Sequence, residues 1–191
     1  MSDNRTIVGV SDHGGWAVLV TAAADGTLLD RRRVELIGEG LPKIPHHQEA
    51  QRLPLEQAVA LIERVRVSAE QHSAVALDAV AKSVPQIGGI ALRHCPPLPP
   101  TIAERITNYR AQNIADWVMY RKALSAAAVA RGWLVHWYDT KKVFDLASQA
   151  LHVEDIGDHF RQVRRTVGPP WNNDHKLAMA AAIDAASVLG K

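Results

Sequence analysis

Three acids stand where local chemistry gives a carboxylate something to do: Asp12, Glu104 and Asp174. Asp12 closes a β-rich run and is followed by His13-Gly14-Gly15, where glycines let the backbone turn sharply and approach a ligand. An acid there can hold a metal ion, and it can equally cap a turn. Glu104 lies just past the loop His94-Cys-Pro-Pro-Leu-Pro-Pro100, which leaves a strand end and tolerates neither helix nor central strand. It opens a polar and aromatic set: Glu104, Arg105, Tyr109, Arg110, Asp116, Tyr120 and Arg121. That set reads either as helix-surface ion pairs or as a pocket for a small anionic substrate. Asp174 follows Asn172-Asn173 at the start of the last helix, where capping is its other role. Lys141 and Lys142 sit at a strand end and face either an anion or water, and so does the cluster Arg161, Arg164 and Arg165. The tandem His46-His47 falls in a glycine- and proline-bearing loop with no Cys or carboxylate at ligand spacing, so it reads as solvated loop rather than zinc site.

Composition leaves the function classes wide. The 191 residues suffice for one domain with a sizeable core. With 22 Lys+Arg against 20 Asp+Glu, the net charge of +2 neither demands nor excludes a nucleic acid. The single cysteine, Cys95, excludes an internal disulfide, and no apolar run reaches the roughly 18 residues of a membrane span. The opening Met-Ser-Asp-Asn-Arg lacks the apolar core of a signal peptide, so a soluble cytoplasmic protein is expected.

The elements that must position these residues follow in order. Ile7–Val10, Trp16–Ala22 and Thr27–Ile37 read as strands, the last two joined at Asp25-Gly26, a dipeptide that supplies the positive φ of a tight hairpin. A helix starts near Pro54 with Ala58, Leu61, Ile62, Val65 and Ala69 on one face, and a second helical piece covers 71–83. Ile87–Leu92 reads as a buried strand. A long helical region over 102–131 breaks near Asn108 and ends at Gly132. Strand Trp133–Tyr138, helix Val143–Ala150, a charged helical stretch over 152–166 and an alanine-rich helix over 174–189 complete the chain. His136 inside its strand reads as a hydrogen-bonded core histidine.

This order resembles the ribonuclease H-like fold, and within it the RuvC-type Holliday junction resolvases. Val8-Gly-Val-Ser-Asp12-His-Gly-Gly is similar to that family's first strand with its catalytic Asp and Gly turn. Ala130-Arg-Gly132 with 133–142 looks like its fifth strand, and Trp171-Asn-Asn-Asp174 with 177–186 like its last helix, Trp171 standing where a first acid is expected. The resemblance implies a single α/β domain over 1–191, a mixed five-stranded sheet of three antiparallel strands then two parallel ones, with helices on both faces. It implies a nuclease acting on structured DNA or RNA, with Asp12, Glu104 and Asp174 as catalytic acids and ligands of Mg²⁺ or Mn²⁺. Arg110, Arg121, Lys141, Lys142 and His175 are then the substrate-binding residues, and a homodimer is allowed. The chain departs from the pattern in three places. Arg93-His94 follows the fourth strand where the family has Glu. One acid rather than two opens the last helix. The most direct superposition puts Ser11, not Asp12, at the catalytic place. Two-metal cleavage needs carboxylates holding two ions about 4 Å apart, so an arginine filling that space would instead mark a binding or assembly module.

Overall fold

The computed structural model describes residues 6–190; the opening segment Met1–Arg5, with its expected lack of a leader, lies outside them. Strands β1 (Thr6–His13), β2 (Trp16–Ala22) and β3 (Leu28–Glu35) form an antiparallel meander. Gly26 turns the second hairpin at φ +82°. Strand β4 (Ile87–Arg93) then pairs parallel to β1, and β5 (Leu134–Tyr138) parallel to β4, which gives the order β3-β2-β1-β4-β5.

Helix α1 (Leu55–Ser83) is one continuous element where two pieces were expected, because buried Ala58, Ile62, Val65, Ala69, Ala76, Leu77 and Val80 keep a single apolar stripe through both. The break at Asn108 forms as expected. It separates α2 (Ile102–Thr107) from α3 (Tyr109–Val129), and the Asn108 side chain caps α3 by accepting from the Ala111 N–H. Helices α4 (Val143–Leu151), α5 (Ile156–Val167) and α6 (Asn173–Leu189) follow. Among the described residues no helix is long and apolar enough to cross a membrane.

Two cores flank the sheet. Alternation along each strand sends Ile7, Val18, Val20 and Ala91 toward α4 and α6, and Val8, Val10, Leu19, Ile90 and Leu92 toward α1 and α3. The alanines of α6 let it ride unusually close to β1: a Cβ at Gly9 would fall 1.7 Å from the Ala178 carbonyl oxygen. This approach brings the first turn of α6 to the end of β1, and His136 on β5 bonds Asp184 of α6 at 3.0 Å. The side chain of Arg31 on β3 donates to the carbonyls of Val167, Gly168 and Pro170, which fastens the loop that feeds α6.

Candidate functional site

The two-residue period of β1 decides what its terminal polar residues can reach. Ser11 shares the α6 face with Ile7 and Gly9, while Asp12 shares the α3 face with Val8 and Val10. Asp12 is 1 % exposed, and its Oδ2 accepts from the Nε of Arg121 at 2.8 Å. Arg121 also donates to the His94 carbonyl at 3.0 Å, and the Nε of Arg93 lies 3.8 Å from the other oxygen of Asp12. That second oxygen has no hydrogen-bond partner among the described residues, but a buried carboxylate with one guanidinium bonded to it and another beside it has its charge already balanced and is a poor ligand for a divalent cation. Asp12 is therefore an ion-pair partner in the α3 core, and Arg121, expected on substrate, is that partner.

On the opposite face, Asp174 occupies the first turn of α6. Its Oδ1 accepts from the Ser11 hydroxyl at 2.9 Å and from the His13 Nε2–H at 2.7 Å. His13 in turn stacks on Trp16, with ring centroids 3.9 Å apart and planes 7° from parallel, and the Arg33 guanidinium lies 4.1 Å from the centre of the Trp16 ring. Burial pushes the Asp174 carboxyl up, but the hydrogen bonds from His13 and Ser11 and the nearby histidine charges outweigh it and hold the carboxyl below its ordinary value of 3.8. A depressed folded-state pKa gives stability that is full above the unfolded value and lost as pH falls through the folded one. Asp174→Asn should thus lower stability in the neutral region, flatten the acid limb below about pH 4 and meet the wild type at low pH; urea unfolding between pH 2 and 7 reads this.

The other expected site residues are dispersed. Glu104 is exposed and closes a capping box with Thr101 at the start of α2, its side chain accepting from the Thr101 N–H at 3.0 Å. Arg110 and Tyr109 are exposed, and the Tyr120 hydroxyl donates to the Lys43 carbonyl at 2.7 Å. The Glu104–Arg121 set therefore lines no common pocket. His175 is buried, packed beside Trp171, its Nδ1 2.7 Å from the Oδ1 of the capping Asn172; burial, with the Arg31 charge, lowers its pKa. Lys141 and Lys142 remain exposed on the turn between β5 and α4. The arginines of β3 are engaged elsewhere: Arg31 on the α6 loop, Arg32 on Asp30 and Arg33 on Glu35.

Asp12, Glu104 and Asp174 thus do not fit two Mg²⁺ or Mn²⁺ ions, since two of them lie on opposite faces of the sheet and the third caps a surface helix. Among the described residues no three His, Cys, Asp or Glu side chains group so as to hold a metal. What the sheet edge does present is a cleft of about 570 Å³ at the ends of β1 and β4, walled by Ser11, Arg93, Thr140, Asn173, Asp174 and Lys176. Reasoning from the sequence missed Lys176 and Thr140. Ser11 was signalled by the superposition and by its position two residues past Gly9, on the same side of the strand.

A three-stranded meander continued by two parallel strands, with helices on both faces and the last one laid along the first strand, defines the ribonuclease H-like fold. Among solved structures the chain is similar to RuvC of Thermus thermophilus in complex with Holliday junction substrate, at 15 % identity and a TM-score of 0.53 over 96 % of this chain and 93 % of that one. A second Thermus thermophilus RuvC structure matches at 14 % identity, with a TM-score of 0.49 over 97 % of this chain and 95 % of that one. No protein-family model matches the chain, and no curated protein matches it by sequence.

Proposed function

We propose that this chain is a module of RuvC fold that binds structured nucleic acid at the end of its sheet without performing two-metal cleavage. The observation that carries this reading is the Arg121 guanidinium on Asp12, a cation bonded to the one acid of β1 that could have served as a ligand. The cleft beside it favours a polyanion. Arg93, Lys176, Thr140 and Asn173 present cations and donors next to the first turn of α6, where the helix dipole favours a negative charge. Asp174 opposes this less than an isolated acid would, because Ser11 and His13 already donate to one of its oxygens. Lys141 and Lys142 extend the positive surface next to Thr140. That the similar RuvC structure holds Holliday junction substrate supports branched DNA as the first nucleic acid to try.

The test is fluorescence anisotropy with labelled four-way junction, duplex and single strands over a range of salt, with Mg²⁺ or Mn²⁺ added to look for cleavage. Binding should weaken steeply with salt while the strands stay intact. Lys176→Ala should lower the slope of log affinity against log salt by roughly 0.9, the signature of one lost phosphate contact. Metal-dependent cleavage abolished by Asp174→Asn would restore the nuclease reading, and a lack of binding to all three substrates would defeat the proposal.

A further inference from the structure

On the other side of the molecule, between α1 and α3 and under the proline loop, lies a cleft of about 750 Å³. It is larger than the cleft at the sheet end and falls within the size range of small-molecule sites. Ile62, Leu98 and Met119 contribute apolar wall, and His46 lines it as well. His46 is 1 % exposed and anchored from behind by fully buried Asp116. Its Nδ1–H donates to Asp116 Oδ1 at 2.7 Å, and the backbone N–H groups of His46 and His47 donate to the same carboxylate at 3.1 and 3.2 Å. The Asp116 carboxylate takes up Nδ1, so Nε2 is the ring nitrogen left to interact with anything else. That nitrogen is buried and has no hydrogen-bond partner among the described residues. A buried polar atom in this condition is unfavourable until a hydrogen-bond partner reaches it.

The charge of the cleft is one-sided. Arg66, Arg105 and Lys122 line it against the single carboxylate of Glu70, which Arg66 already engages. Arg105 forks onto the carbonyls of Pro99 and Pro100, and Lys122 pairs with no carboxylate among the described residues but lies 5.2 Å from the centre of the Trp137 ring. We infer that this cleft binds a small amphipathic anion: an apolar body seated between α1 and α3, an N–H or O–H donor on His46 Nε2, and an anionic group toward Lys122 and Arg105.

The probe is the dye toluidinyl-naphthalene sulfonate, whose secondary amine and sulfonate lie at opposite ends of an aromatic body. Added to the intact chain, it should bind saturably at one site, raise the melting temperature, and bind less tightly as salt rises. Ala126→Trp, at an exposed lining position of α3, fills the cleft from outside the core and should abolish binding while the protein still melts cooperatively. His46→Asn keeps a donor where Nδ1 stands and removes Nε2; it should weaken binding about tenfold, the scale of one hydrogen bond. Unchanged affinity in either variant overturns the assignment. So does a dye response that fades with rising protein concentration as a dimer forms, which would give the cleft to a second copy of the chain.

Discussion

Arg121→Met should lower the unfolding free energy by roughly 3–5 kcal/mol, because it strips the bonded partner from a carboxylate that is 1 % exposed. Such a loss is a large fraction of a domain's whole stability. Arg93 does not rescue it, since its Nε stands 3.8 Å from Asp12 on a side chain that is partly in water. The informative companion is the double variant Asp12→Leu/Arg121→Met, which replaces the buried pair by apolar groups of similar size and should recover most of the loss. Urea unfolding followed by circular dichroism reads both. Mg²⁺ should not restore the single variant, because one carboxylate against apolar walls cannot complete the oxygen shell that ion requires. A cost below about 1 kcal/mol, or recovery with Mg²⁺, would mean that Asp12 is open to a metal ion and that the pairing with Arg121 is incidental.

Gly9→Ala should be at least as damaging for a different reason. The added Cβ would lie 1.7 Å from the Ala178 carbonyl oxygen and 2.8 Å from the Ala182 nitrogen, both backbone atoms of α6 that no rotamer change can move. The helix must shift bodily from β1, with a cost of about 3 kcal/mol or more. The shift would also part Ser11 and His13 from Asp174, so whatever folded protein remains should bind nucleic acid less tightly. Thermal melting together with the anisotropy assay follows both effects, and a wild-type melting temperature would show that α6 does not need this close approach. The same methyl at Gly40, where an added Cβ meets nothing within 4 Å, gives the contrast: only the strain of φ +80° applies there.

Where an element's identity rests on neighbouring residues, the chain was legible. Asp25-Gly26 marked its hairpin, Asn108 the helix break, and Gly132, at φ +74°, the end of α3. Apolar, strand-type composition marked both parallel strands, and His136 is the hydrogen-bonded strand histidine it was expected to be. Contacts between distant residues were not legible. Arg121 meets Asp12 across 109 positions and Asp116 meets His46 across 70, and no local spacing encodes either. His46, read as solvated loop, is buried for that reason, while His47 beside it is exposed. The acidic site depended on a single step of strand phase. Ser11 and Asp12 are neighbours, but a period of two sends one to α6 and the other to α3, and only the packed helices decide which face is which.

The arginine row of β3 has a bearing on how the molecule behaves in company. β3 is an outermost strand of the sheet, and an open edge offers unpaired backbone groups to any passing strand. Arg31, Arg32 and Arg33 are each held in place, on the α6 loop, on Asp30, and on Glu35 and Trp16. An incoming strand would have to accommodate these charged side chains, Arg31 and Arg33 on one face and Arg32 on the other, and β5 at the far edge offers only the five residues Leu134–Tyr138. Both borders thus carry features that discourage strand addition, charged side chains on one side and shortness on the other.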